Sequence, residues 1–166
     1  MGAFRVRVEK DYTVFSAGHF ITYDGHRCEP LHGHNYRAAA ALEGPLDENF
    51  YVFDFTRLKK HLKTIVDRLD HRMLLPLQSE RVQVQEEGDH IVATYKDKRY
   101  VFPAADVVLL RIPNTTAEML AQWITGQLKE ILGPSVLART TAIEVEVEEA
   151  FGQRAVYREE LPSQHG

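Results

Sequence analysis

"HNYRAAAALEG", residues 34–44, decides the fold. Four consecutive alanines at 38–41 have the highest helix propensity of any residue type. The stretch nevertheless stops at Gly44-Pro45, after too few residues for a helix to hold. We read it as a strand, and a strand needs a partner. The chain offers one upstream, where Phe4, Val6 and Val8 alternate with Arg5, Arg7 and Glu9. That is the period of a strand with one buried face. It is expected to run on through 12–15 and to pair with 34–44 across a long loop, about 18–33, rich in Gly, His, Asp and Pro.

Downstream, Leu58, Leu62, Ile65, Val66 and Leu69 repeat at helical spacing across 54–71, with Asp54 or Thr56 as the N-cap. A second helix is expected over 114–132. Thr115 and Glu118 would form its capping box, and Gly133-Pro134 would stop it. Ile143, Val145 and Val147 then alternate with Glu144, Glu146 and Glu148, which are expected to face solvent. A strand through Ala155 and Tyr157 would close a hairpin after Phe151-Gly152, and the tail 161–166 would fray. The stretch of about 78–112 reads as a β-hairpin insertion, open to a second turn at Lys96-Asp97-Lys98, with a short strand, VVLL, behind it. The expected order is β-β-α-(insertion)-α-β-β in one domain. This is an α+β fold: a four-stranded antiparallel sheet with two helices on one face. Its two unpaired edges invite other copies, so a homo-oligomer is expected.

Bulk properties narrow the function. The 166 residues are 44% hydrophobic and 27% charged, with room for one packed core. A net charge of −4 argues against a nucleic-acid partner, which would require a basic face. The single cysteine cannot form an intrachain disulfide. MGAFRVRVEKDY has no apolar core of a signal peptide, and no run reaches membrane-spanning length. A cytoplasmic protein with no membrane partner is expected.

The chemistry-bearing residues cluster around "RCEPLHGHNY", 27–36. His32 and His34, spaced i, i+2 in extended backbone, point to one side. Two such histidines on a surface are about as common as two metal ligands. His19, where the first strand ends, supplies a third if the strands pair. Three histidines leave one position of a tetrahedral Zn2+ open, and no carboxylate in the same motif completes an iron-type triad. Cys28 reads as a small buried hydrophobe, as a fourth metal ligand, or as an acid/base thiol activated by Arg27, His26 or the zinc. Asp70-His71 reads as a helix end with a favourable histidine or as a proton-transfer pair. Glu149 falls on the apolar face of its strand, so its carboxylate needs an Arg or a ligand with adjacent N–H donors.

In order, FSAGHF, Cys28 with HGHNY, VFDFTRLK, LDHRMLL, NTTAEMLAQWI and VEEAFGQRAVY resemble the 6-pyruvoyltetrahydropterin synthase / 6-carboxytetrahydropterin synthase family. The resemblance implies the tunnelling fold, whose sheets join between subunits into a barrel, and a hexamer made of two trimers with sites between subunits. It implies 7,8-dihydroneopterin triphosphate as substrate and zinc held by His19, His32 and His34. By the same resemblance Cys28 is the catalytic thiol, Asp70 and His71 the second proton-transfer pair, and Glu149 the anchor of the pterin ring. Thr115 and Thr116 join Glu149 as substrate contacts, and His26 and Arg27 are the candidates for the triphosphate. Three residues separate Cys28 from the His-Gly-His, as in the carboxy branch. That branch loses triphosphate and acetaldehyde, leaves a 6-carboxyl and feeds queuosine synthesis. Two departures stand out: Ala150 replaces the family's threonine, and compact members lack the insertion. The alternatives are a 6-pyruvoyltetrahydropterin synthase, a dihydroneopterin side-chain aldolase, or a non-catalytic oligomer in which Cys28 closes the zinc site.

Overall fold

A computed structural model describes residues 3–162; Met1, Gly2 and residues 163–166, most of the tail expected to fray, lie outside the described residues. Strand β1 (Phe4–His19) leads into a two-residue hairpin, β2 (Thr22–Tyr23) and β3 (Arg27–Cys28). The alanine-rich stretch follows as strand β4 (His32–Gly44), paired antiparallel with β1 from Phe4↔Gly44 to His19↔His32. Both faces of β4 are covered, which explains the alanines. Ala38 and Ala40 lie in the core, whereas Ala39 and Ala41 are flanked in register by Glu9, Arg7, Glu146 and Glu144. Those charges form a layer over the outer face, with Arg7 paired to Glu144 and Glu146 and Arg158 to Glu43. Small side chains beneath leave room for the long stems of the arginines. Glu144 and Glu146 are therefore held in ion pairs rather than solvated.

Helix α1 (Phe55–Val66) is capped by Asp54, whose Oδ1 accepts from Thr56 N at 2.6 Å and Arg57 N at 3.2 Å. It ends at Val66, earlier than expected, and Leu69 is buried in the turn that follows. Strand β5 (Arg72–Pro76) comes next. Strands β6 (Gln83–Glu87), β7 (His90–Tyr95) and β8 (Lys98–Pro103) form a separate three-stranded meander: the expected hairpin, extended by the second turn at Lys96-Asp97. Strand β9 (Val107–Leu110) returns to the main sheet, parallel to β5. Helix α2 (Ala117–Leu137) is capped by Thr116, which accepts from Met119 N, so the expected box of Thr115 and Glu118 is one residue out. Gly133, at φ 74°, breaks the helical path as expected, but a further turn resumes from Pro134. Strands β10 (Ala142–Ala150) and β11 (Gln153–Glu160) close the chain as a hairpin.

The main sheet thus has six strands in the order β11-β10-β4-β1-β5-β9, not four. The four expected strands are antiparallel neighbours; β5 and β9 add a parallel extension. Both helices pack on one face over Phe15, Tyr36, Leu42, Val145 and Val147. The meander packs elsewhere, through Ile91, Ala93 and Tyr95 onto Phe20, Met73 and Leu75. No helix among the described residues is long and apolar enough to cross a membrane.

Candidate active site

The β1–β4 register sets His19 opposite His32 and Ala17 opposite His34. All three imidazoles project to the helix-covered face, with ring centroids 4.7–5.2 Å apart. A Cβ on Gly33 would lie 3.0 Å from the Ala17 carbonyl, so any larger residue between the two histidines of β4 would press on the backbone of β1. His19 is fully buried, and its Nδ1 lies 2.9 Å from the Thr115 carbonyl. His32 Nδ1 lies 2.8 Å from the Pro30 carbonyl. A carbonyl can only accept, so each Nδ1 carries the hydrogen and each Nε2 presents a lone pair. The Nε2 atoms of His19 and His34 are buried and lack a hydrogen-bond partner. Orphaned polar atoms of this kind are costly unless something binds them. One ligand atom from each ring lies within 4.8 Å of the others, and the three fit a divalent cation. Burial first, and then the neighbouring imidazoles, holds His19 below its ordinary pKa against the Thr115 carbonyl and Glu149, so the ring stays neutral.

Asp70 and His71 sit in the turn after α1. Asp70 Oδ1 accepts from Ser16 N at 2.7 Å, and Oδ2 lies 2.9 Å from His71 Nδ1. Burial works against ionisation of Asp70, but the Ser16 N–H and His71 outweigh it and keep the carboxyl below its ordinary value. His71 has a left-handed backbone, φ 55°, with its N–H bonded to Ser16 O at 2.6 Å. Such a conformation in a non-glycine residue stores strain, held here by β1. The imidazole is 82% exposed and lines a cavity of about 750 Å³ with His32 and His34. Its Nε2 is free to face a substrate.

Glu149 sits where the β10 register shifts, between Glu148 and Ala150. Its Oε1 lies 3.2 Å from His34 Nε2, close but misaligned for a hydrogen bond. It also lines a second cavity of about 500 Å³ with Thr116, Glu118 and Arg154. Glu148, expected in solvent, is instead buried and accepts from Gly152 N and Arg154. Thr115 is fully buried. Its hydroxyl donates to Phe20 O and its carbonyl steadies His19, so it supports a ligand rather than offering a surface to a substrate.

Cys28 is half-buried on β3, outside both cavities, and packs against the meander's cluster. Burial pushes its thiol above the ordinary value, Lys98 pulls it back, and Glu29 adds to the rise. Among the side chains, the cation acting on the thiol is therefore Lys98 of β8 rather than the expected His26 or Arg27. Those two are exposed on the β2–β3 hairpin, where His26 Nδ1 bonds Asp24 O. Two residues escaped the sequence reading. Glu29 places a carboxylate oxygen 3.9 Å from His32 Nε2, and its adjacency to Cys28 was visible in the sequence. Lys98 lies 70 residues from Cys28, and nothing local marks it.

The sequence profile of a family described as 6-pyruvoyl tetrahydropterin synthase matches residues 7–160. A protein of Methanocaldococcus jannaschii named "Putative 6-carboxy-5,6,7,8-tetrahydropterin synthase" is 37% identical over 149 residues, which span 89% of this chain and 90% of that one. The 6-pyruvoyl tetrahydropterin synthase of Plasmodium falciparum superposes with a TM-score of 0.91 at 32% identity, over 97% of this chain and 100% of that one. A Plasmodium vivax 6-pyruvoyltetrahydropterin synthase superposes with a TM-score of 0.90 at 31% identity, over the same shares of the two chains. That structure is a variant whose catalytic glutamate is replaced by alanine.

Proposed function

The chain belongs to the 6-pyruvoyl tetrahydropterin synthase family, and on that premise we propose that it is a zinc-dependent lyase converting 7,8-dihydroneopterin triphosphate to 6-carboxytetrahydropterin. The observation that carries this reading is the set of three converging imidazoles, two of them with buried and unpartnered Nε2 atoms, beside the Glu149 carboxylate. Zinc bound there acts as a Lewis acid that lowers the pKa of the substrate's side-chain hydroxyls. Glu149 accepts hydrogen bonds from the N–H groups of the pterin ring, with Thr116 on the same cavity wall. That fixes the side chain for reaction. Cys28 moves a proton at the side-chain carbon next to the ring. His71, fixed by Asp70, moves the other through its free Nε2. The product would place the enzyme in queuosine synthesis in the cytoplasm.

The curated relative's name and the spacing of Cys28 from His32 support the carboxy product. A second reading is 6-pyruvoyltetrahydropterin synthase or another side-chain lyase of the family. Glu29 favours it: the P. vivax relative works with a catalytic glutamate, and here a glutamate adjoins both Cys28 and His32. Incubation with dihydroneopterin triphosphate and mass spectrometry of the pterin distinguishes the products. A 6-carboxyl mass is expected, and a 6-pyruvoyl or 6-hydroxymethyl mass would move the chain to the second reading.

The active form is proposed to be a hexamer of two trimers, because β9 and β11 leave the sheet's edges open. Sedimentation at micromolar concentration is expected to give a single species of six chains. A monomer would remove any site built between subunits.

A further inference from the structure

We propose that the β6–β8 meander is a positioning device for the loop that carries Cys28 and Glu29, with Lys98 and Tyr95 as its positioning residues. The proposal rests on the reading of Cys28 as a proton-transfer group. Left to itself, the loop has little to hold it. The β2–β3 hairpin contributes two residue pairs, and Glu29 N adds one bond to Ile21 O at 3.0 Å. Its turn runs through Asp24 and Gly25, both at positive φ.

Asn114, ahead of α2, holds the Thr22 end of the hairpin: its Oδ1 accepts from Thr22 N at 3.3 Å and its Nδ2 donates to Thr22 O at 2.9 Å. The 26–29 end is held by one turn of the meander. The Tyr95 hydroxyl donates to His26 O at 2.6 Å, and Lys96 Nζ donates to the same oxygen at 2.9 Å. Lys98 Nζ donates to Cys28 O at 3.2 Å and to Glu29 O at 3.4 Å. Three carbonyls of the loop are thus gripped by three side chains within 95–98. The turn is itself anchored, since Tyr95 and Lys98 are paired across it and Tyr95 is buried with Ile91, Ala93, Phe20 and Met73. Phe20 follows the ligand His19 directly, and Met73 lies two residues after His71. One apolar cluster therefore ties the Cys28 loop to the metal ligands and to the second proton-transfer pair.

A rival use of Lys96 and Lys98 is to bind the substrate's phosphates. Both ammonium groups already donate to backbone carbonyls, which favours positioning. The two roles separate in kinetics: misplacing a proton-transfer group lowers kcat, whereas losing a phosphate contact raises KM.

The test is a set of variants of the full zinc-loaded chain. Lys98→Met combined with Tyr95→Phe is expected to lower kcat by about tenfold or more, with KM within about twofold and zinc content unchanged, as lost charge-assisted hydrogen bonds would. Lys98→Arg, which keeps the charge and the donors, is expected to retain most of the rate. Hydrogen exchange provides a readout that needs no turnover. In the double variant the amides of residues 26–29 are expected to exchange about tenfold faster while the β1–β4 amides do not change. A raised KM at constant kcat would assign the lysines to phosphate and overturn the proposal. So would unchanged loop exchange, or a lower melting temperature with full kcat. If the wild-type chain fails to turn over dihydroneopterin triphosphate, the functional reading falls, and the exchange experiment still decides whether the meander holds the loop.

Discussion

Cys28→Ala is expected to lower kcat by about 10²–10⁴-fold while zinc content and pterin affinity stay at wild-type levels. A proton-transfer group acts in the transition state, so its removal spares ground-state binding. The three-histidine group excludes the thiol: His19, His32 and His34 converge without Cys28, which lies on the neighbouring hairpin. The thiol also has a pH signature. Burial raises its pKa above the ordinary value more than Lys98 lowers it, so at neutral pH it rests protonated, ready to donate. Alkylation of this single cysteine by iodoacetamide at pH 7 should be slower than that of a free thiol. The rate should climb only above the ordinary thiol range, about 8.5. A Cys28→Ala chain that lost its zinc would revive the closed four-ligand site. One that turned over at the native rate would transfer the proton chemistry to Glu29, the carboxylate next to Cys28 in the chain.

What the sequence revealed and what it concealed divide along physical lines. Strands β1 and β4 were legible because one shows clean alternation and the other ends at Gly44-Pro45. Their pairing then brought His19 to His32 with no further assumption. Strands β5 and β9 were not recognised as parts of the main sheet. RMLLP is buried from Met73 to Pro76 and VVLL is half-buried at three of its four positions, so neither short apolar run has an alternation to read. Thr115 and Thr116 are adjacent and both suited to a cap; only the backbone decides that Thr116 takes it and Thr115 turns inward to His19. Glu148 looked solvated by parity. The irregularity after it and the return of Arg154 make it an internal acceptor instead. Lys98 marks the limit of any local reading, since its value comes from a contact that spans the whole first helix and β5.

His19→Ala is expected to abolish stoichiometric zinc binding and, with it, turnover. It should be the most damaging of the three ligand changes, because His19 does two jobs. Its Nε2 is one of the orphaned atoms that a cation satisfies, and its Nδ1–H occupies the Thr115 carbonyl just ahead of α2. Removing the ring leaves a buried carbonyl unpaired, at a cost of about 1–3 kcal/mol, in addition to the lost metal. His32 is more exposed and bonds only to Pro30 O in its own loop, so His32→Ala should lose zinc with a smaller loss of stability. In the metal-free protein the buried ring also sets a pH dependence. Its folded pKa lies below the unfolded value, so its contribution is complete above about 6.5 and is lost as pH falls toward the folded value. Metal-free wild type should therefore lose stability on acidification below about pH 6.5, and metal-free His19→Ala should lose less. Metal analysis and thermal melts of the two variants, with and without added zinc, test both claims. Retention of one zinc per chain by His19→Ala would place the metal elsewhere, with Glu149 beside His34 as the first alternative ligand.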